Sequence, residues 1–425
     1  MPEFFNVLPP DEARAHWLEH VTHRTEAIPA PGVLDRVLAT RLPVAVESAP
    51  SPEDLPAFPR STVDGYAVRA RDTFGASDSL PAYLTVVGEA HMGERPAVTV
   101  DAGEAALIHT GAMIPDGADA VVMVENTQQA AEGEIEVLRR AAPGENVLQI
   151  GEDVRQGQEV LPAGLRLRPQ DIGALLALGL GVGDRALTIR RPPQAAIFST
   201  GDEVIEPVET PAPGQIRDIN SATIAALAAD AGALPLRRGI MPDHPDALRE
   251  ALRLELMPPG AADLVVVTAG SSVSARDMTA AVIDRLAAEF GGPGVLVHGV
   301  AMKPGKPTIL AAVNGRPVLG LPGNPVSALV AFWLFGVPAV YHVWGARMPV
   351  RPRVSATLTA NVPSSAGRED YVPVVLHEDA DGLRAEPVFG KSNLIFTLVR
   401  ADGLLKVPLN ATGLRAGEAA EVYFF

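Results

Sequence analysis

The sequence predicts a multidomain α/β plus all-β protein, with a central three-layer α/β/α domain built on a mostly parallel sheet. Three observations predict this class. The chain has 425 residues, too many for one ordinary core. Between Ala195 and Phe290, apolar strand patterns alternate with helical patterns, which favours a parallel sheet covered on both faces. On both sides of this block, short alternating runs separated by turn residues are typical of β-rich domains.

The chain begins with helical patterns. Asp11 is a candidate N-cap for a first helix that includes Trp17, and a core or interface anchor is the favoured role of Trp17 over ligand stacking. A second helix carries Val33, Leu34, Val37 and Leu38. The helical pattern returns at Pro169 to Gly179, so residues 1-43 and 158-190 are predicted to form one discontinuous helical linker domain.

Residues 44-157 are predicted to form a β-rich domain. The segment Glu134 to Val137 alternates strictly, as a half-buried strand should. Asp64 and Gly65 mark a turn beside a strand, and from the residues alone a turn carboxylate is the favoured interpretation of Asp64 over a functional one.

Residues 191-347 are predicted to form the α/β domain. Its strand candidates are each followed by a polar turn, and these turns are Ser199 to Glu203, Asp243, Gly270 to Ser272, and Pro322 to Pro325. Asn220 or Ser221 would cap the helix after the first of them. Because ligands bind beyond the carboxyl ends of parallel strands, the turns are expected to gather at one edge of the sheet.

Two glycine turns in this domain favour a site for anions. Lys303 and Lys306 flank Pro304 and Gly305, so a tight turn can aim both ammonium groups at one point. The turn Leu321 to Pro325 lies between an apolar strand and a helix, where free backbone N–H groups can meet an anion. An ordinary chain connection is the competing interpretation of either turn alone.

Residues 348-425 are predicted to form a small β-barrel, in which Asp381 and Gly382 join two strands as a hairpin. The formal net charge of -16 argues against a nucleic-acid partner, and the absence of cysteine excludes disulfides and thiolate metal sites. The apolar run from Ala328 to Val340 is broken by Gly336 and Pro338 and is too short to span a membrane. No secretory signal is visible at the amino terminus, so a cytoplasmic location is expected.

Seven strings together carry a family resemblance: STVDGYAV (from Ser61), HTGAMIPDGADAVVMVE (from His109), GEDV (from Gly151), STGDE (from Ser199), IRDIN (from Ile216), MKPGKP (from Met302) and LPGNPVSA (from Leu321). In this order the set resembles molybdopterin molybdotransferase, the molybdenum insertase family that includes the E domain of gephyrin.

The resemblance implies an elongated four-domain subunit with a pterin-binding α/β domain, in a homodimer whose active sites are shared between subunits. It implies insertion of molybdate into adenylylated molybdopterin with release of AMP, and a requirement for Mg²⁺. The adenylyltransferase and acceptor molybdoenzymes are candidate partners.

The resemblance also assigns residues. The candidate molybdate ligands are Lys303, Lys306, Ser327, Arg368 and Ser392. The candidate molybdopterin- or nucleotide-binding residues are Thr110, Asp153, Thr200, Gly201, Asp202, Asp218, Gly270, Ser271, Ser272, Pro322, Gly323, Asn324 and Pro325.

Among the acidic residues that match the family, Asp243 and Asp277 are the candidate Mg²⁺ ligands, since hard oxygen ligands suit that ion. Asp64 and Glu203 are the candidate proton-handling catalytic residues. Oxide leaving molybdenum must become water, so a carboxylic acid with a raised pKa is expected near the molybdate.

The chain departs from the family at Ala269 to Ser272, where serines stand in a loop that commonly carries two glycines. Two other functions stay open at this point: a dimeric scaffold of the same fold without insertion activity, and a nucleotide hydrolase built on the related pterin-binding domain.

Overall fold

The computed structural model describes residues 7–22, 25–30, 32–34, 44–257, 262–268 and 273–425. The chain forms two compact units. Unit 1 contains Met1–Glu47, Ala163–Arg168 and Val182–Phe425, and unit 2 contains Ser48–Pro162 and Pro169–Gly181. The four domain boundaries given above stay a prediction.

The described helices are α1 Pro10–Leu18, α2 Pro169–Ala177, α3 Asn220–Asp230, α4 Pro245–Leu256, α5 Val273–Phe290, α6 Pro325–Ala331, α7 Val337–Trp344 and α8 Phe396–Val399, with a π-helical segment at Phe332–Gly336 and 3₁₀ turns at Ala70–Thr73 and Val124–Asn126. The described strands are β1 Ala27–Ala30, β2 Ala45–Val46, β3 Ala49–Pro50, β4 Arg60–Ser61, β5 Gly65–Val68, β6 Ala82–Ala90, β7 Glu104–Ile108, β8 Ala120–Met123, β9 Thr127–Ala131, β10 Glu134–Val137, β11 Val147–Leu148, β12 Glu159–Leu161, β13 Leu165–Arg166, β14 Leu187–Arg190, β15 Gln194–Thr200, β16 Val204–Ile205, β17 Ile216–Arg217, β18 Leu234–Met241, β19 Leu264–Thr268, β20 Gly294–His298, β21 Met302–Lys303, β22 Ile309–Val313, β23 Arg316–Leu321, β24 Arg353–Leu358, β25 Val362–Pro363, β26 Glu369–Asp379, β27 Gly382–Pro387, β28 Gly403–Val407, β29 Gly413–Leu414 and β30 Ala419–Tyr423.

A six-stranded sheet in the order β18-β15-β19-β23-β22-β20 organises unit 1. The first four strands run parallel, and β22 and β20 run antiparallel to their neighbours. β19 and β22 are buried along their whole length, as expected for apolar strands covered on both faces. Helix α3 and the segment α6 to α7 pack in one core cluster, and α4 and α5 pack in the other. The predicted three-layer α/β/α architecture with a mostly parallel sheet is confirmed.

Helix α1 packs against this sheet through Trp17, which is fully buried. Its indole N–H donates a hydrogen bond of 2.8 Å to the backbone oxygen of Ala311 in β22. The predicted role of Trp17 as a core anchor is therefore confirmed. The predicted N-cap is wrong: the helix begins at Pro10, and Asp11 lies in its first turn, where it pairs with Arg14 at 2.8 Å.

The cap predicted for α3 is also wrong, because neither Asn220 nor Ser221 supplies a capping side chain. Asp218 does so from outside the helix: its carboxylate accepts hydrogen bonds from the Ser221 backbone N–H (3.1 Å) and hydroxyl (2.5 Å). The predicted second helix, from Val33 to Leu38, lies mostly outside the described residues.

The apolar run that Gly336 and Pro338 interrupt in the sequence lies in one continuous helical segment from Pro325 to Trp344. The π-helical segment precedes Pro338, which lies in the first turn of α7, where proline is tolerated. Among the described helices, this 20-residue segment has the length and composition to cross a membrane, so the expectation that the run is too short is wrong. However, 83% of its 18-residue apolar window is buried inside the fold. It is therefore a core helix of unit 1.

The carboxyl-terminal strands of unit 1 close into a small barrel, because β26 pairs with both β27 and β28. The predicted barrel and its Asp381-Gly382 hairpin are confirmed. Strand β21 pairs in parallel with the start of β26, so the barrel is joined directly to the lysine turn.

Unit 2 is built on a mixed sheet in the order β8-β5-β7-β6-β10-β9. The strand predicted at Glu134–Val137 is β10, and its side chains alternate between half-buried and buried. Asp64 immediately precedes β5, so the predicted turn beside a strand is confirmed.

The burial of Trp17 leads to a first testable prediction. Trp17→Ala removes a large core side chain and leaves the Ala311 carbonyl without its donor, so we expect the free energy of unfolding to fall by about 3–5 kcal/mol. Equilibrium urea denaturation measures the change. As the control, Leu254→Ala at a mostly exposed position of α4 should change it by less than about 0.5 kcal/mol. Equal effects of the two substitutions would contradict the anchoring role.

Candidate active site

The carboxyl ends of β15, β18 and β23 bring three of the predicted turns together. The Gly201 backbone N–H donates to the Met241 oxygen at 3.3 Å, and the Asp243 backbone N–H donates to Asp202 Oδ1 at 3.2 Å. Gly201 has a φ of +140°, and a Cβ there would lie 2.8 Å from Glu203 Oε2. Glycine is therefore required for the chain to turn so closely. The predicted residues Gly270, Ser271 and Ser272 lie outside the described residues.

A cavity of about 380 Å³ opens at these strand ends, and we call it the strand-end cavity. Its lining includes the predicted residues Thr200, Glu203, Asp218, Gly323, Asn324 and Pro325, together with Asn220 and Asn393, which were not predicted as site residues. The expectation that widely separated turns share one edge is confirmed for these residues.

Asp218 has a structural role and is not an exposed ligand. Its side chain is buried and its two oxygens hold Ser221 at the start of α3. Arg237 lies 4.0 Å from the same carboxylate. The structure thus shows Asp218 positioning the helix that lines the cavity.

Asn220 presents an unused acceptor at the strand-end cavity. Its side-chain N–H donates to the Gly323 backbone oxygen at 2.8 Å. Its Oδ1 atom is buried and has no hydrogen-bond partner among the described residues. Because buried acceptors are normally satisfied, this atom is suited to an N–H donor of a ligand. Sequence reasoning missed it, since an asparagine at a helix start has the pattern of a cap.

A larger cavity of about 620 Å³, which we call the anion cavity, contains all five predicted molybdate ligands: Lys303, Lys306, Ser327, Arg368 and Ser392. The parallel pairing of β21 with β26 places Lys303 opposite Asp370 and so beside Arg368. Residues from the α/β domain and the barrel therefore meet here because one short strand joins the two.

The lysine turn has a fixed conformation. Gly305 has a φ of +104°, and a Cβ there would lie 2.4 Å from Met302 Cε. The Val300 N–H donates to the Lys306 oxygen at 2.8 Å, and the Thr308 hydroxyl donates to the Gly305 oxygen at 2.7 Å. Both lysine side chains extend from this closed turn and are exposed.

Two charged residues of the anion cavity were missed from the sequence: Asp370 and Lys391. Asp370 Oδ1 accepts a hydrogen bond of 2.8 Å from Arg368 Nε, and the Asp370 side chain is 4% exposed. This buried carboxylate fixes the plane of the guanidinium. A compositional signal existed for Lys391: the chain has only four lysines, and three of them line this cavity.

The turn Pro322 to Pro325 separates the two cavities, and Asn324 lines both. The Asn324 side-chain N–H donates to the Ser392 hydroxyl at 3.1 Å, and the Ser392 backbone oxygen accepts from Val326 at 3.1 Å. Ligands in the two cavities would therefore lie side by side.

Carboxylates crowd the end of β18. Burial raises the pKa of Asp243, and the negative charges of Asp202 and Glu203 raise it further. Asp243 Oδ1 is buried without a hydrogen-bond partner among the described residues. An unpaired carboxylate oxygen beside two further carboxylates fits a hard cation such as Mg²⁺. Asp277 is exposed on α5 and is not part of the described lining of either cavity.

In unit 2, the structure brings Asp64 and Thr110 together. Asp64 Oδ1 accepts hydrogen bonds from the Thr110 backbone N–H (2.8 Å) and hydroxyl (3.2 Å). The backbone hydrogen bond from Thr110 lowers the pKa of Asp64 in the single chain. A raised pKa for a carboxylic acid beside molybdate stays a prediction. Asp153 is exposed in a turn, and its backbone N–H donates to the Leu55 backbone oxygen.

The fold and these cavities define a class of protein with two adjoining cavities, one at the strand ends of an α/β domain and one lined by cationic residues against a β-barrel. Comparison with known families identifies it further. Residues 8–179 match the MoeA N-terminal region (domain I and II), residues 196–342 match a probable molybdopterin binding domain, and residues 355–425 match the MoeA C-terminal region (domain IV).

Similar proteins agree with this assignment. The chain is 34% identical to molybdopterin molybdenumtransferase 2 of Mycobacterium tuberculosis, over 88% of this chain and 90% of that protein. It is 35% identical to molybdopterin molybdenumtransferase of Nostoc, over 86% and 82%. A crystal structure of the molybdopterin biosynthesis moeA protein from Pyrococcus horikoshii OT3 superposes with a TM-score of 0.79 at 29% identity, over 99% of this chain and 100% of that one. The chain belongs to the MoeA family of molybdopterin molybdotransferases.

The raised pKa of Asp243 leads to a second testable prediction. An acid whose pKa is raised by folding destabilises the folded protein once the pH exceeds that pKa, and it has no such effect below the ordinary value of 3.8. Asp243→Asn should therefore raise the thermal midpoint at pH 7 by a degree or more, and the gain should shrink as the pH falls toward about 4. Scanning calorimetry across pH measures both, in a chelator that keeps divalent cations away from this carboxylate.

Glu209→Gln, at an exposed loop carboxylate, is the matched control and should show no such pH-dependent gain. If Asp243→Asn has a lower thermal midpoint than the wild type at neutral pH, the charged carboxylate does not destabilise the folded protein.

Proposed function

We propose that this protein inserts molybdate into adenylylated molybdopterin with release of AMP, and that the two reactants occupy the two adjoining cavities. The observation that carries the proposal is the shared wall: Asn324 faces both cavities and holds Ser392 of the anion cavity. A scaffold would not need this pairing, and a nucleotide hydrolase would not need the cationic barrel cavity. The family relatives do not favour either alternative.

The anion cavity suits molybdate because its positive charge is local. Lys303, Lys306 and Arg368 supply three cations in a chain of net charge -16, and a cleft concentrates such a potential against the global sign. The Ser392 hydroxyl accepts from Asn324, so its own proton is free to donate to an oxyanion. Asp370 holds Arg368 on one edge, which leaves the rest of the guanidinium for the ligand.

The strand-end cavity suits the adenylylated pterin. Asn220 Oδ1 can accept from a ring N–H or amino group, and the glycine turns offer backbone N–H groups to phosphate. In the reaction, two Mo–S bonds form as two Mo–O bonds and two S–H bonds break, and each departing oxide takes up two protons to leave as water. The two thiols supply two of the four protons, and solvent supplies the other two. Hydrolysis of the phosphoanhydride consumes one water and releases AMP. Glu203, which lines this cavity, is the candidate proton carrier for these steps.

We assign Mg²⁺ to the carboxylates at the end of β18, with Asp243 as the principal ligand. The unpaired Oδ1 atom and the neighbouring carboxylates support this assignment. When bound, the ion would offset the negative charge of the phosphates. A role for Asp277 as a second ligand stays a prediction.

A direct assay tests the proposal. Purified protein is incubated with adenylylated molybdopterin and Mg²⁺, with and without molybdate, and AMP is measured. We expect AMP release to depend on molybdate. Lys303→Ala should raise the half-saturating molybdate concentration by about tenfold or more, because charged hydrogen bonds to an anion contribute about 1.5–3 kcal/mol.

Arg400→Ala is the matched control, since Arg400 is an exposed cation of the barrel segment outside the anion cavity. Glu203→Gln should slow both AMP release and cofactor formation. AMP release that ignores molybdate would favour the hydrolase, and no release would favour the scaffold.

We further propose a cytoplasmic homodimer in which Asp64 of one subunit serves the anion cavity of the other. Mixing provides the test. The molybdate concentration is kept far below the raised half-saturating value of Lys303→Ala, so that Asp64→Asn and Lys303→Ala each show little activity alone. In a mixed dimer, one of the two shared sites carries neither substitution. Coexpression should restore about a quarter of wild-type activity if subunits pair at random.

The control for this experiment mixes Lys303→Ala with Arg368→Ala, two changes in the same cavity, which should restore nothing. Differential tagging verifies that mixed dimers form. If mixed dimers of Asp64→Asn and Lys303→Ala recover no activity, the shared site is refuted.

A further inference from the structure

The exposed face at the end of α1 carries three side chains that commonly bind metals: His16, Glu19 and His20. One ligand atom from each residue lies within 4.8 Å of the others. Helix α1 ends at Leu18, and Glu19 and His20 lie in the turn that continues it, so the short sequence HWLEH brings the three side chains together. Neither the proposed molybdate ligands nor the proposed Mg²⁺ ligands include any of them.

The backbone that carries these side chains is anchored on both sides. Trp17 is buried and bonded to the Ala311 oxygen, which fixes the rotation of the helix. Beyond the helix, the Thr22 backbone N–H donates to the Gly315 oxygen at 3.0 Å. Because the chain is already ordered, a ligand bound here does not have to order it, and such preorganisation favours binding.

The three side chains are available. They are exposed, and the described part of the chain offers none of them an ion pair or side-chain hydrogen bond. The two imidazole rings lie 5.5 Å apart in an edge-to-face arrangement. They also lie at the carboxyl end of α1, where the helix dipole favours a positive charge.

We propose that His16, Glu19 and His20 form a binding site for one divalent transition-metal ion, with Zn²⁺ as the biological candidate. Two imidazole nitrogens and one carboxylate oxygen are ligands that Zn²⁺, Co²⁺ and Ni²⁺ accept, and water would complete the coordination. Mg²⁺ prefers an all-oxygen shell and is excluded by this ligand set. The bound ion would tie the last turn of α1 together and stabilise its packing on the sheet.

The test uses the full chain without an affinity tag. Co²⁺ is titrated while the visible absorption of the bound ion is followed, and Zn²⁺ is then measured by competition. We expect one saturable site per chain that excess Mg²⁺ does not occupy. His16→Ala and His20→Ala should each weaken Zn²⁺ binding by about tenfold or more, and Glu19→Gln by less.

His377→Ala is the matched control, because His377 is an exposed histidine beside a carboxylate on the barrel and should leave Zn²⁺ affinity unchanged. In addition, Zn²⁺ should raise the thermal midpoint of the wild type but not of the His16→Ala/His20→Ala double variant. Equal midpoints of the two proteins in chelator would show that the double variant is folded. Unchanged Zn²⁺ affinity in that variant, or no saturable site in the wild type, would overturn the proposal.

Discussion

The structure of the candidate active site depends on the position of one turn, Pro322 to Pro325, at the end of β23. Two side-chain amides fix it: Asn220 donates to the Gly323 oxygen, and Asn324 donates to the Ser392 hydroxyl. The first bond ties the turn to α3 and the strand-end cavity, and the second ties it to the anion cavity. Because the turn follows a fully buried strand, it cannot shift without disturbing the core of the sheet. A rigid partition is what two reactants need if their reacting atoms are to meet in a fixed geometry.

The lysines of the chain are concentrated at this site. The chain uses arginine nearly everywhere for positive charge, and three of its four lysines line the anion cavity. The fourth, Lys406, pairs with Glu369 at 2.7 Å. A compact ammonium group on a flexible stem suits an exchangeable oxyanion, whereas Arg368 is held in one plane by Asp370. The cavity therefore combines two kinds of cation: two exposed lysines on the Gly305 turn and one arginine held by Asp370.

The carboxylates show why residue type alone does not assign roles. The family resemblance assigns functional roles to Asp64, Asp218 and Asp243, yet their environments differ. Asp64 accepts two hydrogen bonds from Thr110, which favour its ionised form. Both oxygens of Asp218 accept hydrogen bonds from Ser221 and cap the start of α3. Asp243 is desolvated beside two like charges, which favour its protonated form or a bound cation. These differences arise from neighbours that are close in space, and only some of them are close in the chain.

By itself, the sequence determined the kinds of elements and the positions where the strands end, since periodicity and turn residues are local properties. It therefore placed Thr200, Glu203, Asn324 and the Lys303-Lys306 turn near a binding edge, and the family resemblance added Arg368 and Ser392. Only the tertiary structure decided which polar groups are satisfied and which stay available. The unpaired oxygen of Asn220, the bond from Arg368 to Asp370, and the place of Lys391 depend on packing between segments far apart in the chain. Burial and electrostatic environment are properties of the folded arrangement, so no local pattern encodes them.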